Sequence, residues 1–170
     1  MKSNANYMNC IMGLFIATIF CSSAIGAESN YAHGHTALDV FDADGFKETP
    51  IWVQVWVGFM GATFAAGLFF VWKHTLARWA VGGFIASMAS GQFTFALLDL
   101  PFLAGSISIM HIACWTPALI LMLIKRPFFN QKESMKFRIW SGIMTGVIVF
   151  SFLFDVKDAL IYINHASSLR

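Results

Sequence analysis

The stretch Leu103–Ile124, LAGSISIMHIACWTPALILMLI, contains no aspartate, glutamate, lysine or arginine. Its length is close to the roughly 20 helical residues that cross a hydrocarbon core about 30 Å thick. Three further apolar runs, Ile51–Trp72, Trp79–Leu98 and Ile139–Ile161, have similar lengths and are separated by charged loops. The four runs predict an all-α polytopic membrane protein, a four-transmembrane-helix bundle for which lipid is part of the solvent. Composition agrees: 58% of the 170 residues are apolar, 12% are charged and the mean hydropathy is +0.66. Soluble domains carry about 25% charged residues. One bundle uses most of the length and leaves little for a soluble domain. A net charge of +2 is too weak to imply a nucleic-acid partner.

Ahead of the four runs, Lys2 is followed by polar residues, the apolar core Cys10–Cys21, and the small residues Ser22, Ser23, Ala24, Gly26 and Ala27. That order is a secretory signal peptide. An uncleaved anchor, a fifth helix, is the alternative, disfavoured because the apolar core is short for a span. The expected organisation is a signal peptide at 1–27, an extracytoplasmic segment at 28–50, the transmembrane domain at 51–163 and an extracytoplasmic tail at 164–170. Cleavage removes Cys10 and Cys21 and leaves Cys114 alone. The mature chain then has no internal disulfide, and Cys114 reads as a small apolar packing residue.

Charge sets a direction. Lys73, Arg78, Lys125, Arg126, Lys132, Lys136 and Arg138 place seven of the 11 basic residues in two loops, after the first and third runs. The segment before the first run is acidic, and the turn between the second and third holds Asp99 alone. The positive-inside rule makes the two basic loops cytoplasmic. Both mature termini then lie outside, as an exported N-terminus also requires. In a bacterial inner membrane that side is the periplasm. Trp52, Trp56, Trp72, Trp79 and Trp140 fall at run ends, where amphipathic rings form an interfacial belt.

Burial alone does not associate helices in lipid; close backbone contact at small residues does. The first run offers Gly58, Ala62 and Ala66, the second Gly83, Ser87 and Gly91, and the fourth the pair Gly142 and Gly146. These stripes serve packing within the chain, oligomerisation, or both. Pro117 deprives the Ala113 carbonyl of its helical donor and is expected to kink the third helix. Thr116 stands beside it to compensate.

Polar residues in the runs gather in one leaflet. His111 lies about 12 Å in from the outer end of its run at 1.5 Å per residue, a depth at which ionisable groups turn to the bundle interior. Gln92 reaches a similar depth on the adjacent antiparallel run, so a hydrogen bond to His111 is geometrically open. Asp155, Asp158 and Tyr162 share one helical face at i, i+3 and i+7, on the same side as Asp99. Lys157 points elsewhere and snorkels outward. The candidate site is therefore a polar cluster of Gln92, Asp99, His111, Asp155, Asp158 and Tyr162, suited to a cation, a proton or a polar headgroup. The competing reading makes the aspartates interfacial and His111 structural.

In the lead-in, His33 and His35 form a weak candidate metal pair, against the alternative of a solvated polar segment. Asp42 and Asp44 sit in a pattern without the first carboxylate and closing glutamate of a calcium loop. The runs hold no second histidine for haem, no phosphate loop, no HExxH and no nucleophile elbow. Four spans are few for a secondary transporter, and no particular cofactor is implied. The expected role is a non-enzymatic accessory, assembly or interaction subunit. Its partners are the lipid bilayer and a membrane protein or further copies of the chain. The alternatives are a small oligomeric channel or transport-related protein using the Asp/His cluster, and a metal- or redox-cofactor-handling protein.

Overall fold

The computed structural model describes residues 36–40, 46–47 and 50–169. The expected signal segment, the pair His33 and His35, and Asp42 and Asp44 lie outside the described residues. Among the described residues the chain is helical and without strands, with α1 at Ile51–Gly67, α2 at Thr75–Leu97, α3 at Ala104–Lys125 and α4 at Met135–Ser168. α2, α3 and α4 are long and apolar enough to cross a membrane, and α1 is apolar but shorter, at 17 residues. Outward faces carry exposed Ile85, Phe93, Ile120, Ile143, Val149 and Leu153. Such a surface is a liability in water and is the ordinary lipid-facing surface of a helical membrane bundle. The architecture is compatible with such a bundle.

α3 packs against α2 and α4, and α1 against the same two helices. The four close into a bundle with α1 and α3 on the diagonal. Phe64, Phe84, Trp115, Met144 and Ile148 meet in its core. The small residues divide by role. A Cβ on Gly83 would collide with the Cys114 carbonyl, and one on Gly91 would press on Phe102 and Met110. Ser87 is buried. The α2 stripe thus brings α2 and α3 into backbone contact. The α1 stripe is different: among the described residues, Cβ atoms added at Gly58 or Gly61 would meet nothing within 4 Å, and Gly58 and Ala62 are exposed. Among the described residues Gly146 is also open, and its partner Gly142 faces Phe128 of the preceding loop at 3.6 Å.

Two helix bounds depart from the expected runs. The first run continues to Trp72, but α1 ends at Gly67. Beyond it, hydrogen bonds tighten to i→i+3: Leu68 N–H to Ala65, Phe69 to Ala66 and Phe70 to Gly67. A side chain at Gly67 would strike Val81 and Trp140 at 2.7 and 2.8 Å, so the chain passes close under both. Arg78 donates to the carbonyls of Val71 (2.7 Å) and Trp72 (3.2 Å). The orphan carbonyls of the turn are thereby satisfied, and an apolar sequence bends without a glycine or proline beyond Gly67. The fourth run ends at Ile161, but α4 spans 34 residues, about 51 Å at 1.5 Å per residue. Ser134 opens it by accepting from the Phe137 N–H at 3.4 Å. It continues through Ser168 because nothing after Gly146 breaks a helix. Trp140, expected at the interface, lies inside the bundle and donates its indole N–H to the Thr63 carbonyl at 3.0 Å. α3 runs through Pro117 as one helix, and the Thr116 hydroxyl donates to the Ile112 carbonyl.

The lead-in is also partly packed. Thr36–Leu38 form a 3-10 turn with Ala37 fully buried. The Asp39 carbonyl accepts from the Ala104 N–H at 2.9 Å, satisfying an orphan donor at the start of α3. Gly105 permits this approach: its missing Cβ would lie 2.6 Å from Tyr162 Cβ, 2.8 Å from the Asp158 carbonyl and 3.0 Å from that of Ala37.

Candidate functional site

The interior of the bundle holds one facing pair of ionisable side chains among the described residues. His111 Nδ1 of α3 stands 3.4 Å from Asp155 Oδ2 of α4, and each side chain is 12% exposed. The distance suits an ion pair when the imidazole is protonated, but the contact lies outside hydrogen-bond geometry. Neither atom has a hydrogen bond among the described residues. Packing holds the imidazole in place. The packing is specific. The His111 ring stacks on Trp115, one turn along α3, with centroids 3.9 Å apart and planes at 17°. Trp115 is fully buried, donates its indole N–H to Ser87 Oγ at 3.2 Å, and touches Phe64 and Phe84. Ser87 in turn donates to the Phe84 carbonyl. A polar seam thus runs from α4 through α3 to α2, lined by aromatic rings.

The other expected members take different places. Tyr162 is buried, and its hydroxyl donates to the Pro101 carbonyl at 2.7 Å, fastening α4 to the turn between α2 and α3. The Asp158 backbone carbonyl lies against Gly105. Asp99 is exposed and has φ of 54°. It takes the left-handed position that ends α2, a conformation aspartate tolerates better than most residues. Gln92 is half-buried and makes no hydrogen bond to His111 among the described residues. The structure therefore joins two of the six residues directly and sets Tyr162 and Asp158 one to two turns outward along α4. Beside Tyr162 is an open apolar groove of about 290 Å³ between α2, α3 and α4, and neither His111 nor Asp155 lines it. No cluster of three metal-ligand side chains occurs among the described residues.

At the opposite end, the two basic loops meet. His74 stacks on Phe137 with centroids 3.6 Å apart, and its Nδ1 is 3.5 Å from Glu133. Arg138 donates to the Phe128 carbonyl. These contacts, and those of Ser87 with Trp115 and of Ala37 with Gly105, escaped sequence reasoning. Periodicity places residues on faces, but only the rotation of each helix about its axis decides which faces meet.

Comparison of the chain with protein-family models, with curated proteins and with solved structures finds no match.

Proposed function

We propose that this chain is a membrane-embedded accessory subunit that presents α1 to a transmembrane helix of another protein. The observation that carries the reading is the open small-residue face of α1. Gly58, Gly61 and Ala62 have the spacing that lets helices approach closely in lipid, and among the described residues no atom lies within 4 Å of a Cβ placed at either glycine. In α2 the equivalent spacing is spent inside the bundle on α3. The length of α1 supports the same reading. At 17 residues it reaches about 25 Å, short of a hydrocarbon core of about 30 Å, and oligomerisation is one relief for such mismatch. We further propose a bacterial inner membrane, with the basic loops in the cytoplasm and both mature termini in the periplasm, after removal of residues 1–27. The asymmetry of the seven loop cations supports that direction.

A photo-crosslinking amino acid at Phe59, exposed beside Gly58, tests the partner in native membranes. The expected result is one discrete adduct heavier than the chain by a partner's mass, abolished by Gly58→Leu. A probe at Ile143, an exposed position of α4, should give lipid adducts only. An adduct of two copies of the chain would contradict the accessory role and favour self-association.

A further inference from the structure

We infer that the end of the bundle opposite Asp99 is a docking surface for anionic phospholipid, with the phosphate on cations of both basic loops and the acyl chains on the apolar belt beside them. It needs the bundle to lie in a bilayer and is independent of any partner at α1. In sequence two helices separate the basic loops; the fold makes them one surface. The His74 ring, ahead of α2, stacks on Phe137 of α4 with centroids 3.6 Å apart. Phe70 packs on Phe137 and Trp140 from the same side. Lys73 and Lys136, the chain neighbours of the stacked rings, are thereby brought together, and both are exposed. The turn Pro127–Phe129 packs on α4, and Arg138 holds it through the Phe128 carbonyl at 3.3 Å. Lys125 and Arg126, which lead into that turn, join the same end.

The charge here is almost all of one sign. Lys73, Arg78, Lys125, Arg126, Lys132 and Lys136 are exposed. The carboxylate in these loops is Glu133, and its Oε2 faces His74 Nδ1 at 3.5 Å. Arg78 and Arg126 donate to carbonyls at the helix ends. A guanidinium has five N–H donors, so these bonds fix its place and leave others for an anion. What borders the cations decides the class of ligand. Leu123 and Ile124 precede Lys125, Ile139 follows Arg138, and all three are exposed, as are the rings of Trp72, Trp79 and Phe129. Amphipathic rings in such positions sit at headgroup level. A soluble anion would use the cations alone. An anionic phospholipid uses both parts of the surface, its phosphate on the cations and its chains on the apolar side chains. A zwitterionic lipid brings its own cation to a surface already rich in them.

Lipid retention tests the surface. The full chain is extracted from bilayers of equal parts phosphatidylglycerol and phosphatidylcholine, and native mass spectrometry counts the lipids that stay bound. A lysine near an anionic surface is worth about fivefold in binding. The parent should therefore retain phosphatidylglycerol in at least about fivefold excess. Lys73→Gln, Lys132→Gln and Lys136→Gln combined should abolish that excess. These side chains are exposed, and an unchanged unfolding midpoint shows that the bundle is intact. Arginine at the same three positions should keep the excess, which separates charge from fold. Lys157→Gln, exposed toward the other end of α4, should change nothing. Free glycerol phosphate should not displace the lipid. Equal retention of the two lipids by the parent overturns the inference. So does an excess that survives the triple glutamine variant, is lost in the triple arginine variant, falls as far with Lys157→Gln, or gives way to free glycerol phosphate, the last marking a site for soluble anions.

Discussion

Asp155 carries a carboxylate into an apolar interior, and His111 is the group that faces it. Removing one member of a buried pair strands the other, at a cost of about 3–5 kcal/mol. The 3.4 Å separation lies outside hydrogen-bond geometry, so the low end of that range applies. Asp155→Leu should cost about 3 kcal/mol in reversible unfolding in detergent, and His111→Leu with Asp155→Leu should recover most of it. A double variant as unstable as the sum of the two single ones would show that the residues do not act as a pair. Adjacent glycines supply a second comparison. Gly83→Ala drives a methyl into the Cys114 carbonyl, whereas Gly82→Ala meets no described atom within 4 Å. Overpacking costs about 1–3 kcal/mol. The same unfolding measurement should register that loss at Gly83 and little change at Gly82, and equal effects would contradict backbone contact between α2 and α3.

At the scale of the helices, the turn after α1 depends on Arg78. It caps two carbonyls from an exposed position, so Arg78→Ala should cost about 1 kcal/mol, below the usual value for charged hydrogen bonds because solvent competes. Amide exchange should quicken in residues 68–74 and not in α3. Uniform quickening would place the role of Arg78 elsewhere. This turn also explains what the sequence hid. The apolar run to Trp72 looks continuous because hydropathy does not see a carbonyl cap supplied from six or seven residues away. α3 was legible to within one residue, expected at Leu103–Ile124 and found at Ala104–Lys125, because a left-handed Arg126 and then Pro127 stop it locally. α4 ran past its apolar part because helix formation and lipid burial are separate demands, and only the second ends at Ile161. In the candidate site, i, i+3 and i+7 spacing placed Asp155, Asp158 and Tyr162 on one side of α4. It could not tell that Asp155 meets His111 while Tyr162 turns to Pro101.

The described residues form a bundle in which α1 buries Met60, Thr63, Phe64 and Gly67 and leaves its Gly58 face unpartnered among them. α2, α3 and α4 spend Gly83, Gly91, Gly105, Ser87 and aromatic residues on one another, while Gly58 and Gly61 of α1, like Gly82 of α2 and Gly146 of α4, meet no described atom within 4 Å of an added Cβ. Substitutions on the Gly58 face should separate fold from association. Gly58→Leu is expected to leave the unfolding midpoint near that of the parent, since no described atom lies within 4 Å of the added Cβ, yet to remove the proposed partner. The most direct test is in-membrane photo-crosslinking from Phe59, with and without Gly58→Leu. A single partner adduct that disappears in the folded Gly58→Leu protein is the expected result. Adducts at Phe59 indistinguishable from the lipid products at Ile143, or a partner adduct that survives Gly58→Leu, would contradict the proposal that α1 is the face the chain offers to another protein.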